Sequence, residues 1–287
     1  MRMRTAIVTD SNSGIFEQEA AGLDVHVIPM PVIIEGETHY EGKDLSHDVF
    51  FRYLSERRNV SSSQPSLGEL QKMWDQLLGE GYDEILYIPM SSGLSGSFQS
   101  ANMLAEDYDG SVQVVNNHRI SVTQRHSVLD ALTLRERGCT AREMKEKLEQ
   151  TAYDSIIFVG VETLEYLKRG GRVTPAGAAM GEILNIKPLL IIEGERLDAY
   201  AKVRGTKHCW KRLLVEMKKR ADEFHKNGQE IRVGVAGSFA DKKAEQEWKD
   251  MAFEAFQGEE LRYDPLTFSV SCHVGPDAFG MGISAKI

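Results

Sequence analysis

Long apolar runs are missing from this chain. No stretch approaches 18 consecutive apolar residues, so nothing in it reads as a bilayer-crossing helix. Positive charge is in deficit too. Lys and Arg number 34 against 43 Asp and Glu, a formal charge of −9, and no strongly basic block focuses a local field, which argues against a nucleic-acid partner. Cysteine is scarce: Cys139, Cys209 and Cys272 are far apart and odd in number, which indicates neither a disulfide framework nor a clustered metal site. A reducing compartment is the simplest setting. There is no H-E-x-x-H, no paired C-x-x-C, no EF-hand loop, no GxxxxGK[ST] and no G-x-G-x-x-G opening a helix, so metal and nucleotide binding have no motif to rest on. The opening MRMRTAIVTDS passes from a short apolar run straight into a strand-and-turn pattern, unlike a secretory signal. A cytoplasmic location is expected.

What is present is an ordinary globular composition, 41% hydrophobic and 27% charged over 287 residues. That is enough chain to bury a substantial core in one large or two smaller domains. The strand-like runs TAIVTD (5–10), EILYIP (84–89) and VQVVN (112–116) alternate with helical patterns. Leu67, Leu70, Trp74, Leu77 and Leu78 recur at helical spacing, further helices are expected from near Ser97 and over about 121–137, and Thr140 with Glu143 forms a capping box for one over about 141–152. This alternation predicts a mostly parallel, crossover-connected sheet. In such sheets ligands bind beyond the carboxyl ends of the strands, a rim shared here by loops 10–14, 90–97 and 116–121. The run LDVHVIPMPVII (23–34) contains Pro29 and Pro31, which predicts an edge position or two short pieces.

After SIIFVGV (155–161) the pattern changes. IKPLLII and LDAYAKV flank EGER as a hairpin; a helix over 206–226, a strand at 231–237 and a helix over 240–256 follow, and short strands near 259–263, 267–272 and 281–286 complete the pattern. The expected fold class is α/β with two domains. Residues 1–160 form an N-terminal domain with helices on both faces of a mostly parallel sheet, and 161–287 form a second α/β domain with a mixed sheet.

Four stretches carry candidate chemistry. SSGLSGSFQSA (91–101) holds five serines, two glycines and no charge directly after an apolar strand. Gly93, Leu94, Ser95 and Gly96 nearly fit the G-x-S-x-G nucleophile elbow, but Ser97 stands at its fifth position. A nucleophile also needs a base, and the sequence alone does not place His118, His126 or His273 beside Ser95. The same hydroxyls, with free N–H groups at a helix start near Ser97, equally suit a carboxylate or phosphate. A plain serine-rich turn and N-cap is the alternative. In VSSSQPS (60–66), Ser66 and Glu69 read as a capping box, which leaves Ser62 and Ser63 unexplained. LKRGGRVTP (167–175) concentrates Lys168, Arg169 and Arg172 around Gly-Gly. Arginine suits oxyanions through its planar fork, whereas solvent-facing charge at a helix end is the ordinary reading for Lys168 and Arg169. CHVGPDAFGMG (272–282) sets His273 beside a Gly-Pro turn.

Together TDSNSG (9–14), SSSQPS (61–66), SSGLSGSFQSA (91–101), LKRGGRVTPAGAAMGEILNIKPLL (167–190) and HVGPDAFG (273–280) resemble the DegV family of bacterial fatty-acid-binding proteins, which includes the acyl-carrying subunit of fatty acid kinase. The resemblance spans nearly the whole chain. It implies two α/β domains with a long-chain fatty acid between them, the carboxylate held by Ser62 and Ser95 with Gly96 and Ser97 in the same loop. It further implies that Arg172 and His273 serve the carboxylate end or its contact with the kinase. No residue of this chain is assigned a catalytic step, no metal or cofactor is implied in it, and ATP and Mg belong to a partner kinase whose acyl phosphate product feeds phospholipid synthesis. Transient contact with a membrane surface is compatible with that role. Three departures stand out: Asn116-Asn117 replaces the usual Asp-Ser, SVTQRH (121–126) replaces a glycine-rich S-x-G-x-G run, and GPD (275–277) replaces GPG. Ser62 replaces the usual threonine and keeps the hydroxyl. A stand-alone serine acyl hydrolase using Ser95, and a non-lipid regulatory or interaction module of the same fold, are the alternatives.

Overall fold

A computed structural model describes residues 3–180 and 185–287; residues 181–184 of the quoted 167–190 motif lie outside the described residues. The first sheet contains β1 (Thr5–Asp10), β2 (His26–Ile28), β6 (Glu84–Ile88) and β7 (Val112–Val114) in the order β2-β1-β6-β7. All its pairings are parallel. Because side chains alternate along a strand, Ile7, Leu86 and Ile88 pack on one face with Val128, Leu134, Met144 and Leu148 of the helices Ser121–Glu136 and Ala141–Gln150. Ala6, Val8, Ile85 and Tyr87 pack on the other with Leu70, Trp74 and Ala101 of the helices Leu67–Gly79 and Ser97–Ala105. The expected parallel sheet with helices on both faces is therefore present, and so is the capping box at Thr140 and Glu143.

The two prolines of 23–34 divide that run between sheets. Its first piece is β2, and its second, β3 (Pro31–Ile34), joins β4 (Glu37–Tyr40) and β5 (Val60–Ser62) in a separate antiparallel sheet ordered β4-β3-β5. Nothing in VSSSQPS signals a strand; pairing with β3 makes Val60–Ser62 one and fixes Ser62 at its end.

The second sheet runs β10-β9-β8-β13-β11-β12, built from β8 (Ser155–Gly160), β9 (Ile186–Ile192), β10 (Asp198–Arg204), β11 (Ile231–Gly237), β12 (Leu261–Pro265) and β13 (Phe279–Ala285). It is mixed: β11 and β12 are parallel and the other pairs antiparallel. One face, with Phe158, Phe279, Val233 and Val235, packs on Trp210, Leu213 and Trp248 of the helices Thr206–Lys226 and Lys242–Ala255. The other, with Ile157, Val159, Leu190 and Ala236, meets Met30, Met90, Ile120 and Val122 of the first domain.

One expected element is different. Residues 267–272 are not a strand: Phe268–Val274 is a helix. Its period-two look, LTFSVSCHV, hides an i, i+4 arrangement. Phe268 and Cys272 pack with Phe50 and Phe51, and Phe268 stacks on Phe50 with ring centroids 4.3 Å apart, while Ser269 and His273 line the space between the domains. The Glu41 carboxylate accepts the Phe268 N–H at 2.7 Å, satisfying one of the helix's free amides from another segment. Burial pushes the Glu41 carboxyl up to about 7.

Candidate functional site

The space between the domains is an apolar slot. Met30, Met90, Leu94, Ile120 and Val122 wall it on one side, and on the other stand Ile157, Val159 and Ile192 of the mixed sheet with Leu167 and Leu197; β8, which carries Ile157 and Val159, pairs in the second sheet although it falls within residues 1–160. The slot's cavity volume is about 90 Å3. That is below the roughly 300–1,000 Å3 usual for ligand clefts, so the walls stand close together.

Polar side chains interrupt this apolar lining. Strand β5 delivers Ser62, whose hydroxyl lies 2.8 Å from His273 Nε2. Gly170 stands against the other imidazole nitrogen so closely that a Cβ there would lie 2.6 Å from Nδ1. Burial, reinforced by the charges of Arg172 and Arg169, pushes His273 down to about 4, so the ring is neutral at pH 7.

The serine-rich loop after β6 is folded on its own groups. The amides of Leu94 and Ser95 both donate to the Ser91 carbonyl at 3.0 and 3.1 Å, which presents Ser95 to the slot. Ser95 Oγ accepts the Ser97 amide at 3.1 Å and lies 2.8 Å from Ser97 Oγ. Gln64 Nε2 donates to Ser100 Oγ at 3.0 Å, joining the two serine-rich loops. Gly96 permits that approach, since a Cβ there would sit 3.1 Å from Gln64 Oε1. The loop also touches the second domain, where Ser91 Oγ donates to the Gly194 carbonyl at 3.0 Å.

Arg172 follows the helix Glu165–Gly170, which ends in a left-handed Gly171 at φ +69°. Only glycine adopts that turn freely, and it directs the arginine back along the slot. Its Nε donates to the Leu94 carbonyl at 3.2 Å and Nη1 to the Gly170 carbonyl.

Ser62, Ser95, Arg172 and His273 thus line one cavity. Gly96 and Ser97 lie behind it, the first as a close-packed spacer and the second as the partner of Ser95. Asn12, Ser63, Ser121 and Ser269 line the cavity too; loops 10–14 and 116–121 were expected at the rim, but none of these four residues was named as a ligand contact. Asn12 lies within the quoted TDSNSG, but Ser269 was hidden by the strand reading. Asn12 Oδ1 accepts from Ser269 at 2.6 Å and from Thr267 at 3.2 Å. The other histidines weighed as bases serve elsewhere. His118 Nδ1 lies 3.2 Å from Glu195 Oε1, and His126 Nδ1 lies 2.6 Å from Ser284 Oγ. Among the described residues no group of three or more His, Cys, Asp or Glu side chains could hold a metal ion, and no helix is long and apolar enough to cross a membrane.

Comparison with known proteins agrees with this architecture. The sequence profile described as "Uncharacterised protein, DegV family" matches residues 4–286. A DegV domain-containing protein of Deinococcus radiodurans is 31% identical over 283 residues, 98% of each chain. A fatty-acid-binding DegV family protein from Thermus thermophilus superposes with a TM-score of 0.86 at 28% identity, covering 99% of this chain and 100% of its own. One from Streptococcus agalactiae gives 0.86 at 29% identity with the same coverage. With a profile match across nearly its full length and relatives of matching extent, this chain belongs to the DegV family.

Proposed function

We propose that this protein binds one long-chain fatty acid, with its tail in the interdomain slot and its carboxylate among Ser62, Ser95, Arg172 and His273, and presents that carboxylate to a separate ATP-dependent kinase in the cytoplasm. The observation that carries the reading is a narrow apolar slot between the domains whose lining includes hydroxyl, imidazole and guanidinium groups. Each buried methylene contributes roughly 0.8 kcal/mol, so about 15 supply roughly 12 kcal/mol before the costs of ordering the chain. The head group then needs accommodation rather than strong binding. A neutral His273 donates from one ring nitrogen, the serine hydroxyls donate as well, and Arg172 offsets the anionic charge.

The kinase part rests on chemistry. A carboxylate oxygen left near the mouth attacks the γ-phosphorus of ATP, the new O–P bond forms as the bond to ADP breaks, and the product is an acyl phosphate. Nothing in this chain has a nucleotide-binding motif, so ATP and Mg reside on the partner. Arg172 is positioned to balance the charge that accumulates as the phosphoryl group arrives.

The hydrolase reading is less well supported. Ser95 pairs with Ser97, and the imidazole at the site pairs with Ser62. A Ser62–His273 dyad lacks the third group that would orient the base, because the Gly170 backbone stands against Nδ1.

Native mass spectrometry followed by denaturing lipid extraction tests the binding reading. Near-stoichiometric long-chain acid is expected. An empty protein that hydrolyses model esters, with loss of turnover in Ser95→Ala, would overturn it. The kinase step is tested by adding the ATP-binding subunit, ATP and Mg to loaded protein and trapping acyl phosphate with hydroxylamine; no acyl hydroxamate from loaded, folded protein refutes that step alone.

A further inference from the structure

On the sheet face that looks into the slot, the strands meet in levels set by their register. At one level Val159 of β8, Gly280 of β13 and Ala236 of β11 stand side by side; at the next are Ile157, Gly282 and Gly234. Two residues along a strand separate the levels by roughly 6.6 Å. Val159, Gly280, Ala236 and Ile157 all line the slot. Gly282 and Gly234 are neighbours without side chains, and together they leave a dent in the sheet.

Val122 fills that dent. A Cβ on Gly234 would lie 2.3 Å from Val122 Cβ, and one on Gly282 would lie 2.8 Å from both Val122 Cγ2 and Thr123 Cγ2. Val122 is 2% exposed, and it also faces the slot. It is therefore a plug with one side in the glycine dent and the other against the cavity. A third level lies beyond it, where Ser284 pairs with Ser155 and Arg232 and Ser284 Oγ is held by His126 at 2.6 Å. That level is polar and closed.

We propose that Val122 is the gauge that sets the length of the acyl chain this protein accepts, and that the glycine pair Gly234 and Gly282 is the recess in which the gauge is seated. The inference rests on the fatty-acid reading and adds to it the residue that determines chain length. The head group is fixed at the Ser62 and His273 end, beside Leu167 and Arg172. The β8 side of the slot then runs from Leu167 past Val159 to Ile157, where Val122 blocks further passage. Val122→Ala removes two methyl groups from the plug and exposes the dent, lengthening the slot by at most one level before the Ser284 and His126 wall. Gly282→Ala does the reverse, driving Val122 toward the cavity.

The test is competitive loading. Delipidated protein is equilibrated with an equimolar mixture of saturated acids of roughly 12 to 20 carbons, and the bound acids are extracted and weighed by mass spectrometry, with thermal melts as a check of folding. Val122→Ala is expected to raise the mean bound length by about two carbons, one for each methyl removed. Gly282→Ala is expected to lower it by a similar amount, and Val122→Ala with Gly282→Ala to return it toward the original. If the unmodified protein selects a length and folded Val122→Ala and Gly282→Ala both select the same one, the gauge is refuted while the binding reading stands. An unmodified protein that takes up no acid overturns both. Should one variant fail to fold, the other still decides, because the two shifts have opposite sign.

Discussion

Holding His273 neutral inside the protein has a measurable consequence. Its folded value is about 4 against an ordinary 6.5, a difference of 2.5. At about 1.36 kcal/mol per unit this corresponds to at most roughly 3 kcal/mol. The direction follows from proton counting. Between those two pH values the unfolded chain takes up a proton at His273 and the folded protein does not, so lowering the pH favours unfolding. The contribution is intact above about pH 6.5 and erodes as pH falls toward 4. His273→Gln keeps a side-chain donor for Ser62 and removes the titration. Stability is measured by urea unfolding of delipidated protein at several pH values, and the quantity of interest is the difference between original and variant. Asp10, raised to about 6, and Glu41, raised to about 7 by burial, titrate in both proteins and cancel in that difference. The difference should decline by up to about 3 kcal/mol from pH 7 to pH 4. With a fatty acid bound, the nearby carboxylate favours the protonated ring and the decline should be shallower. A difference that stays flat across this window refutes the buried neutral imidazole.

Two further perturbations bear on the site and its frame. Gly170→Ala places a methyl 2.6 Å from His273 Nδ1 and pushes the imidazole away from Ser62; displacement of a fluorescent fatty acid should show about tenfold weaker binding, equivalent to about 1.4 kcal/mol, in a protein whose far-UV spectrum is unchanged, and unaltered affinity counts against the pair. Asp130→Ala leaves Arg232 of β11 and buried Arg119 without their shared carboxylate; a loss of about 3–5 kcal/mol in urea unfolding is expected, and a loss below about 1 kcal/mol would show that the domains are not joined through this cluster.

Strands buried on both faces, such as Thr5–Asp10 and Glu84–Ile88, declare themselves through continuous apolar runs, and the first domain's parallel sheet followed from them. The cap at Thr140 was equally plain, because the capping box is a local signal. Val60–Ser62 was not, since a three-residue strand exists only through its pairing with Pro31–Ile34. Phe268–Val274 deceived for a different reason: alternating apolar and polar residues suit a strand, and only the aromatic pocket around Phe50, distant in sequence, selects the helix. The site divides along the same line. Ser62, Ser95, Arg172 and His273 were named by motif and Asn12 lies in a loop assigned to the rim, whereas Ser269 enters the slot on a helix that its own sequence pattern disguises. Arg119, Asp130 and Arg232 were likewise invisible, because each is an ordinary charge until the two domains enclose it.

The order β10-β9-β8-β13-β11-β12 has a consequence for synthesis. The strand that bridges the two halves of the second sheet, β13, follows every other strand among the described residues in chain order. Until it arrives, β8 with its hairpin and β11 with β12 are fragments that share no edge, and the recess formed by Gly234 and Gly282 does not exist. A nascent chain lacking that strand therefore has no finished compartment in which to shelter a lipid, and assembly of the compartment waits until Phe279–Ala285 has emerged from the ribosome.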